Sequence, residues 1–220
     1  MEIFANLDWN LILIALWETL YMTFVSLIFI VILGFLIGVL LYITQTGGLY
    51  ANGLINKIAD GLVNLLRSIP FIILLIILIP FTRALTGSML GASAALPSLI
   101  VSAAPFYARL CLIAFNEVDK GTIEVSKAMG ASNWEIIFKV LLPESLPAII
   151  SGISVTGISL ISFTAMAGAI GAGGLGNLAY QYGFARRDNV ILYLATILII
   201  IIVFIIQFVG NRVVRKIDKR

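Results

Sequence analysis

Histidine is missing from this 220-residue chain, and cysteine occurs once, as Cys111. A lone cysteine excludes an intrachain disulfide, and without histidine a zinc site is improbable. Charge is scarce too: 11% of residues are Asp, Glu, Lys or Arg, against roughly a quarter in soluble proteins. No G-x-x-x-x-G-K-[ST] sequence occurs, so any ATP hydrolysis must belong to another chain. Neither a nucleophile–base pair nor a carboxylate cluster is visible, which argues against a membrane-embedded enzyme.

What fills the chain instead is apolar: 61% of residues are hydrophobic and the mean hydropathy is +1.11. That composition defines an integral membrane protein. At about 20 apolar residues per crossing there is room for roughly five or six spans and no sizeable soluble domain. The expected fold class is an all-α integral membrane protein, a single transmembrane domain over 1–220. Its spans are expected at about 19–43, 61–82, 91–108, 145–171 and 189–209. The residues before the first span hold three acids and no Lys or Arg, which predicts a retained helix rather than a secretory signal. Pro70 and Pro80 predict bends or helix ends in the second span.

The spans differ in texture. Between Ser151 and Gly176, 17 of 26 positions are Gly, Ala, Ser or Thr, whereas 189–209 has only Ala195 and Thr196. Small residues allow close helix approach in lipid, so the fourth span is expected to be central and the fifth peripheral. Gly34 and Gly38 in the first span form a second small-residue packing face. Met166 projects among Ala165, Ala167 and Gly168. It is either a gap filler or a gate on a pathway.

Sidedness follows from the basic residues, which concentrate on the cytoplasmic face. Five spans with an inside C-terminus place eleven of the 14 there, including Lys120, Lys127 and Lys139, and leave Arg83, Arg186 and Arg187 outside. The N-terminus is then outside, and 109–144 is a cytoplasmic loop. The net charge of +3 reflects these flanks and the tail, not a nucleic-acid partner. Arg67 and Arg109 are expected as anchors at the membrane interface.

The loop carries the clearest functional pattern. Asp119 or Thr122 can cap a first helix that Gly130 ends. Ser132 with Glu135 forms a capping box for a second, which carries Trp134, Ile137, Phe138 and Leu141 on one face until Pro143 and Pro147 end it. The plain alternative is a compact loop packed on its own span bundle.

Glu124, then Gly130 six positions on, then Val140-Leu141-Leu142-Pro143 after nine more resembles the signature loop of permease subunits in ATP-binding-cassette importers. Its pattern there is Glu-Ala-Ala, three residues, Gly, nine residues, Ile-x-Leu-Pro. Val125 and Ser126 stand for the alanines here. Arg67-Ser68-Ile69-Pro70-Phe71, Ile79-Pro80-Phe81-Thr82-Arg83, Ala103-Ala104-Pro105-Phe106-Tyr107 and Tyr180-Gln181-Tyr182-Gly183 extend the likeness toward methionine-importer permeases.

The resemblance implies a type I importer permease fold in a bacterial inner membrane. Its partners would be a second copy of the chain, two cytoplasmic ATPases that bind the ATP and magnesium, and an external methionine-binding protein. Surrounding lipid completes the assembly; the chain itself would hold no cofactor. Glu124, Ala128, Gly130, Leu142 and Pro143 would couple it to the ATPase. Alternatives are a permease for another amino acid or an ion-coupled carrier, though the latter usually needs acids within its spans.

Gly171-Ala172-Gly173-Gly174-Leu175-Gly176 matches G-x-G-x-x-G, but a dinucleotide site needs a preceding strand. Gly171, Gly173, Gly174 and Gly176 are expected instead as an unwound, flexible end lining the pathway or docking the binding protein.

Overall fold

A computed structural model describes residues 7–218, and among them no strand occurs. Helix α1 (Trp9–Thr44) begins at Asp8, whose carboxylate accepts the N–H groups of Asn10 and Leu11 at 3.1 and 3.2 Å. At 1.5 Å per residue it is about 54 Å long, well beyond the expected 19–43. Glu18 is therefore inside the helix rather than at its start.

The buried residues of α1 recur about every fourth position: Ala15, Thr19, Thr23, Ile30, Gly34, Gly38 and Tyr42. Spacing of this kind is one face of a helix. Thr19 and Thr23 are compatible with burial because their hydroxyls donate to the carbonyls of Ala15 and Thr19. The stripe packs on α5 (Ala92–Asn116). A Cβ on Gly34 would lie 2.8 Å from the Ala104 carbonyl oxygen, and one on Gly38 would lie 2.6 Å from Cys111 Cβ. Cys111 is thus a packing residue, fully buried.

The second expected span is broken. Helix α2 (Gly53–Ser68) turns by 104° into α3 (Phe71–Ile77), and α4 (Ile79–Thr86) follows directly. Pro70 and Pro80 sit at the two breaks, as helix-incompatible rings should. The outer face of α2 exposes Leu54, Ile58, Leu62 and Leu65. Its inner face is held by Arg109, which reaches Asp60 and Asn64, both at 2.7 Å. Arg109 is therefore not a loose interfacial anchor. It lies within α5, which runs past the expected 91–108 to Asn116 despite Pro97 and Pro105.

Helix α6 (Lys120–Ala128) leads into α7 (Asn133–Ala172), which is helical until its backbone kinks at Ile170 and Gly171. Pro143 and Pro147 do not interrupt it. Wide π-turns over Ile136–Leu141 absorb the carbonyl that Pro143 cannot serve. After a glycine turn, α8 (Gly174–Asn177, continued as π-turns over Leu178–Phe184) leads to α9 (Asn189–Ile217).

Two apolar clusters hold the bundle. One joins Leu99, Tyr107, Phe115, Ile136, Leu141 and Leu160, and the other joins Ile12, Ile161, Leu175, Leu178 and Ile202. The most enclosed helix is α5, 56% buried over its most apolar stretch against 33% for α7 and 11% for α9. The fifth span is peripheral as its texture implies, but the third is the most central. The reason is that α1 and α7 both pack against α5. Gly38→Val should force α1 off Cys111 and Ala108 and cost about 1–3 kcal/mol, read as a lowered midpoint in thermal unfolding of the purified protein.

Candidate functional site

The loop between α5 and the apolar part of α7 is built as two short helical pieces at an angle. Asp119 caps α6, accepting the Gly121 N–H at 2.5 Å. Gly130 ends it with φ +85°, a conformation costing a residue with a Cβ about 1–2 kcal/mol. The Gly130 N–H donates to Lys127 and the Ala131 N–H to Ser126, which satisfies two carbonyls at the helix end. Ser132 and Glu135 form the reciprocal capping box, reinforced by Lys139 at 2.9 Å from Glu135.

Orientation divides these residues. Ile123, Ser126, Ile136, Ile137 and Leu141 are buried, and most join the main apolar cluster. Glu124, Val125, Ala128, Met129 and Gly130 face outward, as do Trp134 and Phe138. The expected single apolar face of the second piece is therefore split: Ile137 and Leu141 point inward, while Trp134 and Phe138 stack outside at 5.8 Å between ring centroids. Met129 is 78% exposed and Trp134 64%. Leu142 is half-buried and Pro143 exposed, both on the first turns of the long stretch after the π-turns. The Asn133 side chain donates to the Leu49 carbonyl at 3.1 Å, tying the element to the turn after α1.

The glycine turn is not a loose end. Gly171, Gly173 and Gly174 have φ of +103°, +82° and +75°. The Gly174 N–H donates to Glu18 at 2.6 Å, the Leu175 N–H to Thr19 at 2.8 Å, and the Gly91 N–H to the Gly171 carbonyl at 2.9 Å. Gly174 and Gly176 are buried, and a Cβ on Gly176 would overlap the Ala165 backbone. These glycines allow a tight fold-back clamped to α1 and to the start of α5. The pairing of Glu18 and Thr19 with this turn has no local signature, because the partners are 156 positions apart in the chain. A carboxylate beside the start of an apolar helix is the signal that could have found Glu18 itself. Met166 lies four residues before Ile170 on an exposed face of α7, itself 48% exposed.

The architecture is that of a membrane-spanning subunit with an exposed, rigidly seated helix pair and no catalytic constellation among the described residues. Residues 34–220 match the family described as binding-protein-dependent transport system inner membrane component. The chain is 53% identical over 217 residues to the methionine import system permease protein MetP of Bacillus subtilis, covering 99% of this chain and 98% of that protein. It is 45% identical over 212 residues to the probable D-methionine transport system permease protein MetI of Pasteurella multocida, covering 96% and 98%. A solved structure of the MetNI methionine ABC transporter, inward-facing, superposes with a TM-score of 0.93 at 45% identity, covering 96% of this chain and 98% of that one. The chain belongs to the inner-membrane component family of binding-protein-dependent transport systems.

Glu18→Ala removes the acceptor of a partly buried N–H. It should cost about 1–3 kcal/mol, seen as a lower unfolding midpoint and faster proteolysis near the glycine turn, with Asp8→Ala as the milder control.

Proposed function

We propose that this chain is the permease subunit of a methionine importer driven by ATP-binding-cassette ATPases. Two copies form the translocation pathway, two cytoplasmic ATPases bind ATP and magnesium, and an external binding protein delivers methionine. The observation that carries this reading is the exposed helix pair around Gly130, in a chain alike over nearly its whole length to methionine import permeases. The chain is one transmembrane domain in the bacterial inner membrane, with its N-terminus outside and its C-terminus in the cytoplasm. The bias of basic residues supports that orientation.

The element works as a lever. Glu124, Ala128 and Gly130, with Met129, Trp134 and Phe138 beside them, dock on the ATPase. Leu142 and Pro143 join the docked piece to the membrane part of α7. Because Ile123, Ile136 and Leu141 are embedded in the same cluster as Phe115 and Tyr107, a push on the outer face moves packed helices rather than a hinge-free loop. From Pro143, α7 continues without a break to Met166, and the exposed side chain of Met166 supports its assignment as a gate on the pathway. The clamped turn of Gly171, Gly173, Gly174 and Gly176 gives that pathway an ordered outer end where the binding protein seats. ATP-driven closure then shifts the pair of copies between two access states.

The decisive test is uptake of labelled methionine by liposomes holding the permease, its ATPase and its binding protein. ATP-dependent flux competed only by methionine-like compounds is expected. Flux of another amino acid would overturn the substrate, and ATP-independent flux would favour an ion-coupled carrier. Gly130→Asp should leave the protein in the membrane and ATP hydrolysis measurable while uptake is lost. Trp134→Ala should weaken co-purification of the ATPase by about tenfold or more, as expected for an aromatic anchor. Met166→Ala should raise methionine leak without ATP, and an unchanged leak would remove the gate role.

A further inference from the structure

The Arg67-Ser68-Ile69-Pro70 stretch is not used by the coupling element, yet it sits at the sharpest feature of the fold, the 104° turn from α2 to α3. A pocket of about 300 Å³ opens there, lined by Arg67, Phe71, Ser102, Phe106, Ser159 and Phe163 among others. That volume is at the lower end of the range for small-ligand clefts, about 300–1,000 Å³. Residues from four helices, α2, α3, α5 and α7, meet in it, so the pocket belongs to the folded bundle and not to one segment.

Its chemistry is divided. Phe71 and Phe163 stack at 4.7 Å between centroids with 12° between their planes, and Phe106 adds a third ring to the lining. Such a wall suits a thioether, because sulfur makes favourable contacts with aromatic rings. Arg67 also lines it, and no carboxylate lies within ion-pair distance of Arg67 among the described residues. A guanidinium matches a carboxylate with two parallel hydrogen bonds. Pro70 has no N–H, so the carbonyls closing α2 lack that donor and remain available to an ammonium group.

The pocket also lies on a face unsuited to lipid. The outward residues of α7 recur as Ser151, Val155, Ser159, Ser162, Met166 and Ile170, each exposed or half-exposed. The exposed face of α9 carries instead Tyr193, Ile197, Ile201, Phe204 and Phe208. Hydroxyls spaced along one face through a membrane favour water or protein over hydrocarbon. Phe163 precedes Met166 by three residues, so the pocket is within one helical turn of the proposed gate.

We propose that this pocket holds the substrate part-way across the membrane, with Arg67 binding the carboxylate of methionine and the three phenylalanines its thioether. The assignment rests on the methionine reading above. It places selectivity in the permease as well as in the binding protein.

The test uses Ser159→Cys in the complete transporter, with Ser102→Cys as the second site should the first fail to assemble. Cys111 is fully buried, so the new thiol is the one in this chain that a charged, water-soluble maleimide meets, and labelling is read on the permease band after the subunits are separated. Labelling should be slowed about tenfold by methionine at about ten times its half-protecting concentration. Methioninamide, which lacks the carboxylate, should protect poorly, and Arg67→Gln should abolish protection by methionine. Methionine uptake by the Cys variant without any protection would overturn the pocket alone. A thiol reached only by lipid-soluble reagents would place it against lipid and also overturn it. Absence of methionine uptake by the unmodified complex would instead overturn the function reading.

Discussion

The close contact of α1 with α5 is the constraint on which the other arrangements depend. Lipid supplies no hydrophobic force to press two helices together, so association rests on backbone approach and dispersion contacts. Gly34 and Gly38 provide that approach by leaving room for Ala104, Tyr107, Ala108 and Cys111. Once α5 is seated on α1, its other sides are set. Arg109 meets Asp60 and Asn64 on α2, and the Tyr107 hydroxyl donates to the Ile149 carbonyl of α7. The clamp of Glu18 and Thr19 on the glycine turn then closes the far end of the same frame.

On that frame the long helix α7 connects two surfaces of different character. Its beginning is wrapped into the exposed helix pair by a capping box and π-turns. Its later part carries the serine-bearing face, the pocket at Phe163, and Met166. A continuous helix transmits displacement with little loss, and Pro143 is tolerated directly after the wider turns of Ile136–Leu141. Coupling and passage are thereby placed on one rigid element rather than on separate loops.

Much of the site was legible from local chemistry. Gly130 as a left-handed terminator and Ser132 with Glu135 as a capping box depend only on neighbours within a few residues, and the structure has both. Gly34 and Gly38 were legible as a packing face by spacing alone. The direction of Trp134 and Phe138 was not, because a helical stripe says which residues share a face and not whether that face meets its own core or a partner. The run of helix through Pro143 and Pro147 was likewise hidden. A proline ends a helix where its missing N–H leaves a carbonyl unserved, and the wider turns at Ile136–Leu141 before Pro143 are a product of the fold that local propensity does not contain.

The sequence by itself determined the class of protein, the turn at Gly130 and the identity of the small-residue face at Gly34 and Gly38. Each of these follows from composition or from contacts a few positions apart. Tertiary structure alone decided that Asp60 meets Arg109, that Glu18 clamps a turn more than 150 residues away, and that Arg67 shares a pocket with Phe106 and Phe163. Those pairings depend on how distant helices cross, and helix crossing is set by summed packing over the whole bundle, which no single window of sequence contains.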